Sequence, residues 1–130
     1  MKLRKYYPLE YGSLRVEASL EGSSACILIV EDNAGWKEER EFRVYFSPEV
    51  RVVGEIRNPD GTEKVEYRVE RYTALLRAGL SEWDVVRLVL YDILDEMNQD
   101  TDWEYDGLLY ELEGEFEDVF ERAESLIIYL

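Results

Sequence analysis

A short run of carboxylates in the second half of the chain has a spacing that suits a hard cation. Asp102, Glu104 and Asp106 alternate along a polar segment, Gly107 follows directly, and Glu113 lies one or two helical turns further on. Carboxylate oxygens are the ligands that Ca²⁺ prefers, and a loop that wraps around one ion needs glycine for its sharpest turn. These four acids are therefore candidate metal ligands.

The spacing resembles the EF-hand calcium loop and predicts, as one alternative, a single calcium-binding module over residues 102–113. The segment departs from that pattern in its glutamate at the third position and in the bulk of Trp103 and Tyr105. Without a metal, residues 98–107 form a polar loop between two helices. The two aromatic side chains then either pack on the core or offer a contact surface.

Other chemistry has little support in the residue types. The chain has no histidine and one cysteine, Cys26, which lies in the apolar run from Ala25 to Val30 and is predicted to be buried. Nucleophilic catalysis usually recruits histidine as its base, and no glycine-rich phosphate loop is present. We expect a protein that is not an enzyme and holds no cofactor. A carboxylate-dependent hydrolase is the enzymatic alternative, because acids are plentiful.

The acids are unevenly distributed along the chain. There are 30 acidic and 15 basic residues, a net charge of −15. Residues 1–70 contribute −3 to this charge and residues 71–130 contribute −12. From Asp92 to Glu124 there are 14 acids and a single base, Arg122. Such a block indicates either a solvated surface that keeps the protein soluble or a surface that meets a positively charged partner.

Two rows of carboxylates are predicted along the last helix: Glu113, Glu117 and Glu121, and beside them Glu111, Glu115 and Asp118. Residues four apart are separated by about 6 Å along a helix axis, and like charges at that spacing destabilise the helix by a few tenths of a kcal/mol. Rows of this kind can imitate the phosphates of a nucleic acid in the groove of a protein that binds one. Direct binding of nucleic acid is not expected, because phosphates would be repelled.

The function we expect is that of a non-enzymatic acidic binding protein whose helical half docks on a basic protein. The specific version is an inhibitor or nucleic-acid mimic, of the anti-defence or toxin-neutralising type, whose partner is a nucleic-acid-binding enzyme or a toxin. The predicted contact residues are Asp100, Asp102, Trp103, Glu104, Asp106, Glu111, Glu115, Glu117, Asp118 and Glu121.

The elements that must position these residues change in character near residue 70. Residues 2–70 alternate apolar and polar side chains, as in Leu14 to Leu20, and predict an antiparallel meander. Residues 71–129 predict helices at about 71–78, 82–97 and 108–129, with Ser81 as an N-cap. The fold class is α+β: one domain over residues 1–130, with its sheet covered on one face by two or three helices. The predicted core consists of Leu14, Val16, Ile27, Ile29, Phe42, Val44, Val65, Val86, Leu90, Ile93, Leu112, Phe116 and Val119.

Composition adds expectations about the setting of the protein. The chain has no apolar run long enough to span a membrane and no apolar segment after Met1–Lys5 of the kind found in signal peptides, so we expect a cytoplasmic protein. It has 21 glutamates but only one glutamine and three asparagines. Many charged residues with few amides are typical of proteins from thermophiles.

Overall fold

The computed structural model describes residues 1–127. These residues fall into two compact units, which meet in sequence at Glu70 and Arg71. The α+β class and the meander in the first half are confirmed. The single-domain organisation and the stacking of helices on one face of the sheet stay predictions.

The first unit is one antiparallel sheet of six strands, in which every strand pairs with its neighbours in sequence. Its spatial order is β1-β2-β3-β4-β5-β6, and β1 and β6 are the two edges. The strands are β1 (Lys2–Pro8), β2 (Gly12–Glu21), β3 (Ser24–Asn33), β4 (Trp36–Tyr45), β5 (Arg51–Asn58) and β6 (Gly61–Arg68).

Side-chain alternation divides this sheet into a buried face and an open face. Val16 lies directly opposite Ile29, and Ile27 lies directly opposite Phe42, so that apolar residues form cross-strand pairs on one side. All four are at most 4% exposed. The open face carries charged residues of both signs, such as Arg57. The alternation read from the sequence therefore gives the correct face for β2 and β4, whereas residues 25–30 of β3 are apolar throughout and show no alternation in the sequence.

The second unit contains four helices: α1 (Glu70–Arg77), α2 (Glu82–Asp100), α3 (Asp106–Glu115) and α4 (Glu117–Ile127). The N-cap prediction is confirmed, because the Ser81 hydroxyl accepts from the Asp84 amide at 3.1 Å. Helix α1 is tied to α2 by Asp92, which accepts a hydrogen bond from Tyr72 and pairs with Arg71.

The predicted single helix over residues 108–129 is wrong, because the chain breaks at Phe116 into α3 and α4. Gly114 weakens the end of α3, as an interior glycine typically costs about 1 kcal/mol relative to alanine. The break also creates a new helix N-terminus, where the carboxylates of Glu117 and Asp118 are favourable. The predicted helical residues 128 and 129 lie outside the described residues.

The predicted core is confirmed in both units with two exceptions. Val65 and Ile93 are only half-buried. The buried members of the predicted set are Leu14, Val16, Ile27, Ile29, Phe42, Val44, Val86, Leu90, Leu112, Phe116 and Val119. In residues 1–127, no helix combines the length and the apolar character that a membrane crossing requires.

Candidate acidic interface

The loop between α2 and α3 is organised by one buried amide. Asn98 is 1% exposed, and its side-chain oxygen accepts from the Tyr105 amide at 2.8 Å. Its side-chain nitrogen donates to the Asp106 carboxylate at 2.7 Å, and its backbone carbonyl accepts from the Trp103 amide at 3.1 Å. A buried amide with several satisfied bonds fixes the backbone around it. Asn98 therefore sets the shape of residues 101–105.

This loop turns the two aromatic side chains in different directions. Tyr105 is fully buried, whereas Trp103 is 58% exposed. Asp102 and Trp103 both have a left-handed backbone, with φ of 54° and 66°. Aspartate tolerates this conformation, but for a bulky residue such as tryptophan it is uncommon and has to be held by the surroundings. Tyr105 thus packs in the core, whereas Trp103 is exposed.

The loop between α2 and α3 does not have the backbone shape of an EF-hand calcium loop. Helix α3 begins at Asp106, so Gly107 is helical and the sharp turn is made by Asp102 and Trp103 instead. Glu113 lies on α3 and accepts a hydrogen bond from the Tyr91 hydroxyl. Across residues 1–127, no group of three acid, histidine or cysteine side chains is placed to hold a metal ion. The four candidate ligands are therefore not brought together around one point.

All ten predicted contact residues are exposed. Three acids lie in or beside the loop and one begins α3: Asp100, Asp102, Glu104 and Asp106. Glu111 and Glu115 lie on α3, whereas Glu117, Asp118 and Glu121 lie on α4. Tyr110 on α3, which is 79% exposed, was missed by the sequence prediction although it lies next to Glu111. An aromatic residue inside an acidic stretch is the signal that marks it.

The predicted rows of carboxylates are divided by the helix break. Glu113 belongs to α3, and Glu117 and Glu121 belong to α4, so these three acids do not share one straight helix. Tyr91 from α2 joins the two segments, because its hydroxyl donates to Glu113 and its ring meets that of Phe120 edge-on at 4.9 Å. Burial and the bond to Glu113 raise the pKa of Tyr91. Tyr91 therefore remains a neutral hydrogen-bond donor.

The one base of the acidic stretch is occupied by ion pairs. Arg122 donates to Asp84 at 2.9 Å and to Asp118 at 3.3 Å. Asp84 also accepts from Arg87, whose guanidinium lies 5.6 Å from the ring centre of Phe116. Asp84 and its two arginines thus join the start of α2 to α4.

Asp84 borders a groove of about 450 Å³ that is also lined by Asp118, Glu121 and Arg122. Burial would raise the pKa of Asp84, but hydrogen bonds from Arg122, Arg87 and Ser81 outweigh it and lower the pKa. Asp84 is therefore an ionised, ion-paired group at neutral pH rather than a proton donor. This arrangement is structural and gives no support to the carboxylate-hydrolase alternative.

Cys26 is half-buried on the open face of the sheet, not fully buried as predicted. Burial raises the pKa of the Cys26 thiol, and Glu41 adds to the rise. The same face carries a network in which Arg57 lies 2.8 Å from Glu55 and 3.5 Å from Glu39. Opposite charges are thus interspersed in the first unit, whereas one sign dominates α3 and α4.

Comparison of the chain with protein-family models, with curated proteins and with solved structures gave no match. The function is therefore argued from the chain's own residues. The most distinctive surface among them is the exposed set on the α2–α3 loop, α3 and α4. We call it the acidic interface, and it comprises the ten predicted contact residues and Tyr110.

Proposed function

We propose that the protein is a non-enzymatic binding protein whose acidic interface docks on a positively charged surface of another protein. The observation that supports this most directly is a large excess of exposed acids over bases. The acids of the interface are exposed, and the single base among residues 92–124, Arg122, is paired with Asp84 and Asp118. The resulting negative field accelerates and orients encounters with a basic partner.

Two exposed aromatic side chains give this surface anchors as well as charge. Trp103 is 58% exposed and Tyr110 is 79% exposed. Tyrosine and tryptophan are enriched among the residues that dominate interface affinity, because they bury a large area at small entropic cost. Exposed acids mainly set the association rate and the choice of partner. A surface that combines both suits recognition better than a surface that only maintains solubility.

The specific form of the proposal is an inhibitor that occupies the nucleic-acid groove of its partner. Such a groove is lined by lysine and arginine that contact phosphates. Carboxylates spaced by helical turns along α3 and α4 offer a similar array of negative charges. The proposed partner is accordingly a nucleic-acid-binding enzyme or a toxin. An oligonucleotide should compete with this protein for that partner.

The test uses reversal of charge on α4. Because Asp118 accepts from Arg122, the variant replaces two other exposed acids, as Glu117→Lys with Glu121→Lys. Tagged protein captures partners from a lysate of the source cell, with stepwise salt elution and mass spectrometry, and each captured partner is then purified and titrated. Reversal should weaken the affinity for the true partner at least about tenfold, because attraction becomes repulsion at two contacts.

A matched control changes the net charge equally on the sheet unit. Glu49→Lys with Glu63→Lys reverses two exposed acids there and should leave the affinity within about twofold, because long-range effects of exposed charge are screened at physiological salt. Circular dichroism establishes that both variants are folded. Equal losses in the two variants would show that only net charge matters. An unchanged affinity after the α4 reversal would contradict the proposed interface.

A further inference from the structure

Strand β1 has one side of its backbone directed away from the sheet. It is an edge strand, and among the described residues it pairs only with β2. The Met1 carbonyl accepts from the Leu20 amide at 3.0 Å, and the Leu9 amide donates to the Gly12 carbonyl at 2.9 Å. Odd-numbered residues therefore direct their backbone groups towards β2. In an antiparallel pair the even-numbered residues then direct theirs to the open edge. These residues are Lys2, Arg4, Tyr6 and Pro8.

The open edge is cationic in a chain of net charge −15. Residues 1–9 contain Lys2, Arg4 and Lys5 and no acid. The side chain of Arg4 is 71% exposed, although it pairs with Glu17 at 3.3 Å. Unpaired edges template the addition of another strand, and lysine or arginine on an edge repels strands of like charge. A second copy of β1 would bring cations beside cations, so self-pairing is disfavoured.

The other edge of the sheet does not share this property. In β6 the exposed side chains of Lys64 and Glu66 alternate in sign, and Glu66 pairs with Arg51 from β5. An incoming strand there would meet attraction and repulsion in turn. The charge on β1 therefore favours an acidic strand as its partner, whereas the mixed charge on β6 favours neither sign.

We propose that the open edge of β1 binds an extended acidic segment of a partner protein, in which acids alternate with apolar residues. Side chains of an added strand alternate between the two faces of the sheet. On the open face, acids would lie opposite Lys2 and Arg4. On the other face, apolar side chains would lie beside Leu3, the methylene chain of Lys5 and Tyr7, all of which are half-buried. This edge belongs to the first unit and shares no residue with the acidic interface. It selects an acidic partner, whereas the acidic interface selects a basic one.

The experiment uses the full chain, labelled with ¹⁵N, and a synthetic peptide of about nine residues that alternates glutamate with valine. The peptide should slow hydrogen exchange at the amides of Arg4 and Tyr6, which face the open edge. Exchange at Leu3 and Tyr7 should change little, because their amides already bond to β2. Binding without slowed exchange at Arg4 and Tyr6 would overturn the proposal, as would the absence of binding.

Charge reversal on each edge supplies the matched pair of variants. Arg4→Glu should weaken peptide binding about tenfold, whereas Lys64→Glu on β6 should leave it within about twofold. A peptide with lysine in place of glutamate tests the same charge without altering the protein, and should not bind. Equal effects of the two variants, or equal binding of the two peptides, would overturn the proposal. So would slowed exchange at Arg4 and Tyr6 in a dimer formed without peptide, because the occupant would then be a second copy.

Discussion

Asp84 shows how one carboxylate can be both buried and ionised. It is 6% exposed, yet it accepts hydrogen bonds from Arg87 and Arg122, and its own amide bonds to the N-cap Ser81. A buried charge is tolerated when opposite charges and hydrogen-bond donors surround it. Removing one member of a buried ion pair leaves the other charge buried without a counter-charge. The ion-paired Asp84 therefore links the first turn of α2 to α4.

We predict that Asp84→Asn lowers the free energy of unfolding by about 2 kcal/mol at neutral pH, because Arg87 loses its buried counter-charge. The pKa of Asp84 is lowered in the folded state, so its stabilisation is full above the unfolded pKa of about 3.9 and is lost as the pH falls through the folded value. The difference between variant and native protein should thus shrink in acid. Urea unfolding at several pH values measures it.

The matched control is Glu82→Gln, which removes a carboxylate from the same helical turn without touching the Asp84 ion pairs. Glu82 contributes a weak interaction with the helix N-terminus, worth up to about 1 kcal/mol. A loss for Glu82→Gln as large as for Asp84→Asn, or a difference that persists undiminished at low pH, would contradict the role given to Asp84.

At the scale of elements, β5 packs closely against its neighbours because Gly54 has no side chain. A Cβ atom built on Gly54 would lie 2.6 Å from Cε1 of Phe42 and 2.8 Å from Cγ2 of Val65. Phe42 lies directly opposite Gly54 on β4, and Val65 lies opposite on β6. Glycine in a strand interior marks a close approach of this kind. The ring of Phe42 thus occupies the space that a side chain on β5 would need.

The same substitution should act with opposite sign at two glycines. Gly54→Ala should lower the free energy of unfolding by about 2 kcal/mol, because the sheet must shift to admit the methyl group. Gly114→Ala should raise it by about 0.5 kcal/mol, since a Cβ there meets nothing within 4 Å and alanine favours the helix. Thermal or urea unfolding compares both with the native chain. Destabilisation by Gly114→Ala would show that the break after α3 needs glycine.

The elements that the sequence predicted correctly are those with a regular spacing of apolar residues. Strands of period two, such as the one that contains Val16, follow from alternation because each side chain takes the opposite face from its neighbour. The break between α3 and α4 does not follow, because Leu112, Phe116 and Val119 continue the helical spacing across it. The structuring of the α2–α3 loop by Asn98 was missed as well, since an amide in a polar stretch gives no sign of which backbone groups it will meet.

The candidate site was predictable to the same degree. The exposure of its acids follows from their charge, because aspartate and glutamate are mostly found at the protein surface. The assignment of Trp103 to the surface and Tyr105 to the core does not follow from residue type. It depends on the left-handed backbone at Asp102 and Trp103, which the bonds of Asn98 impose.

At the scale of the whole molecule, the two halves of the chain use charge differently. The open face of the sheet disperses both signs, as in the contacts of Arg57 with Glu39, Glu41 and Glu55. Residues 71–130 carry 16 acids and 4 bases. Attractive networks are weakened by added salt, whereas self-repulsion is relieved by it. The halves should therefore respond to ionic strength in opposite directions.

We predict that added salt slows hydrogen exchange in α4 while leaving exchange in β3 and β4 unchanged or faster. Raising the ionic strength from about 0.01 M to 0.15 M shortens the screening length from about 30 Å to about 8 Å. Relief of repulsion among the acids of α4 should slow local opening about threefold. Residue-resolved exchange at the two salt concentrations measures this. A uniform shift in both halves, or faster exchange in α4, would contradict the prediction.

The order of the strands in the sheet has a consequence for synthesis of the chain. Each strand after β1 pairs with the strand before it, so its partner has already left the ribosome when it emerges. No strand needs a segment that is distant in sequence for its pairing. The last pair, β5 with β6, can form once Arg68 has emerged. Contacts this local favour rapid, stepwise assembly. The sheet can therefore complete its backbone pairing before the strongly acidic half of the chain has left the ribosome.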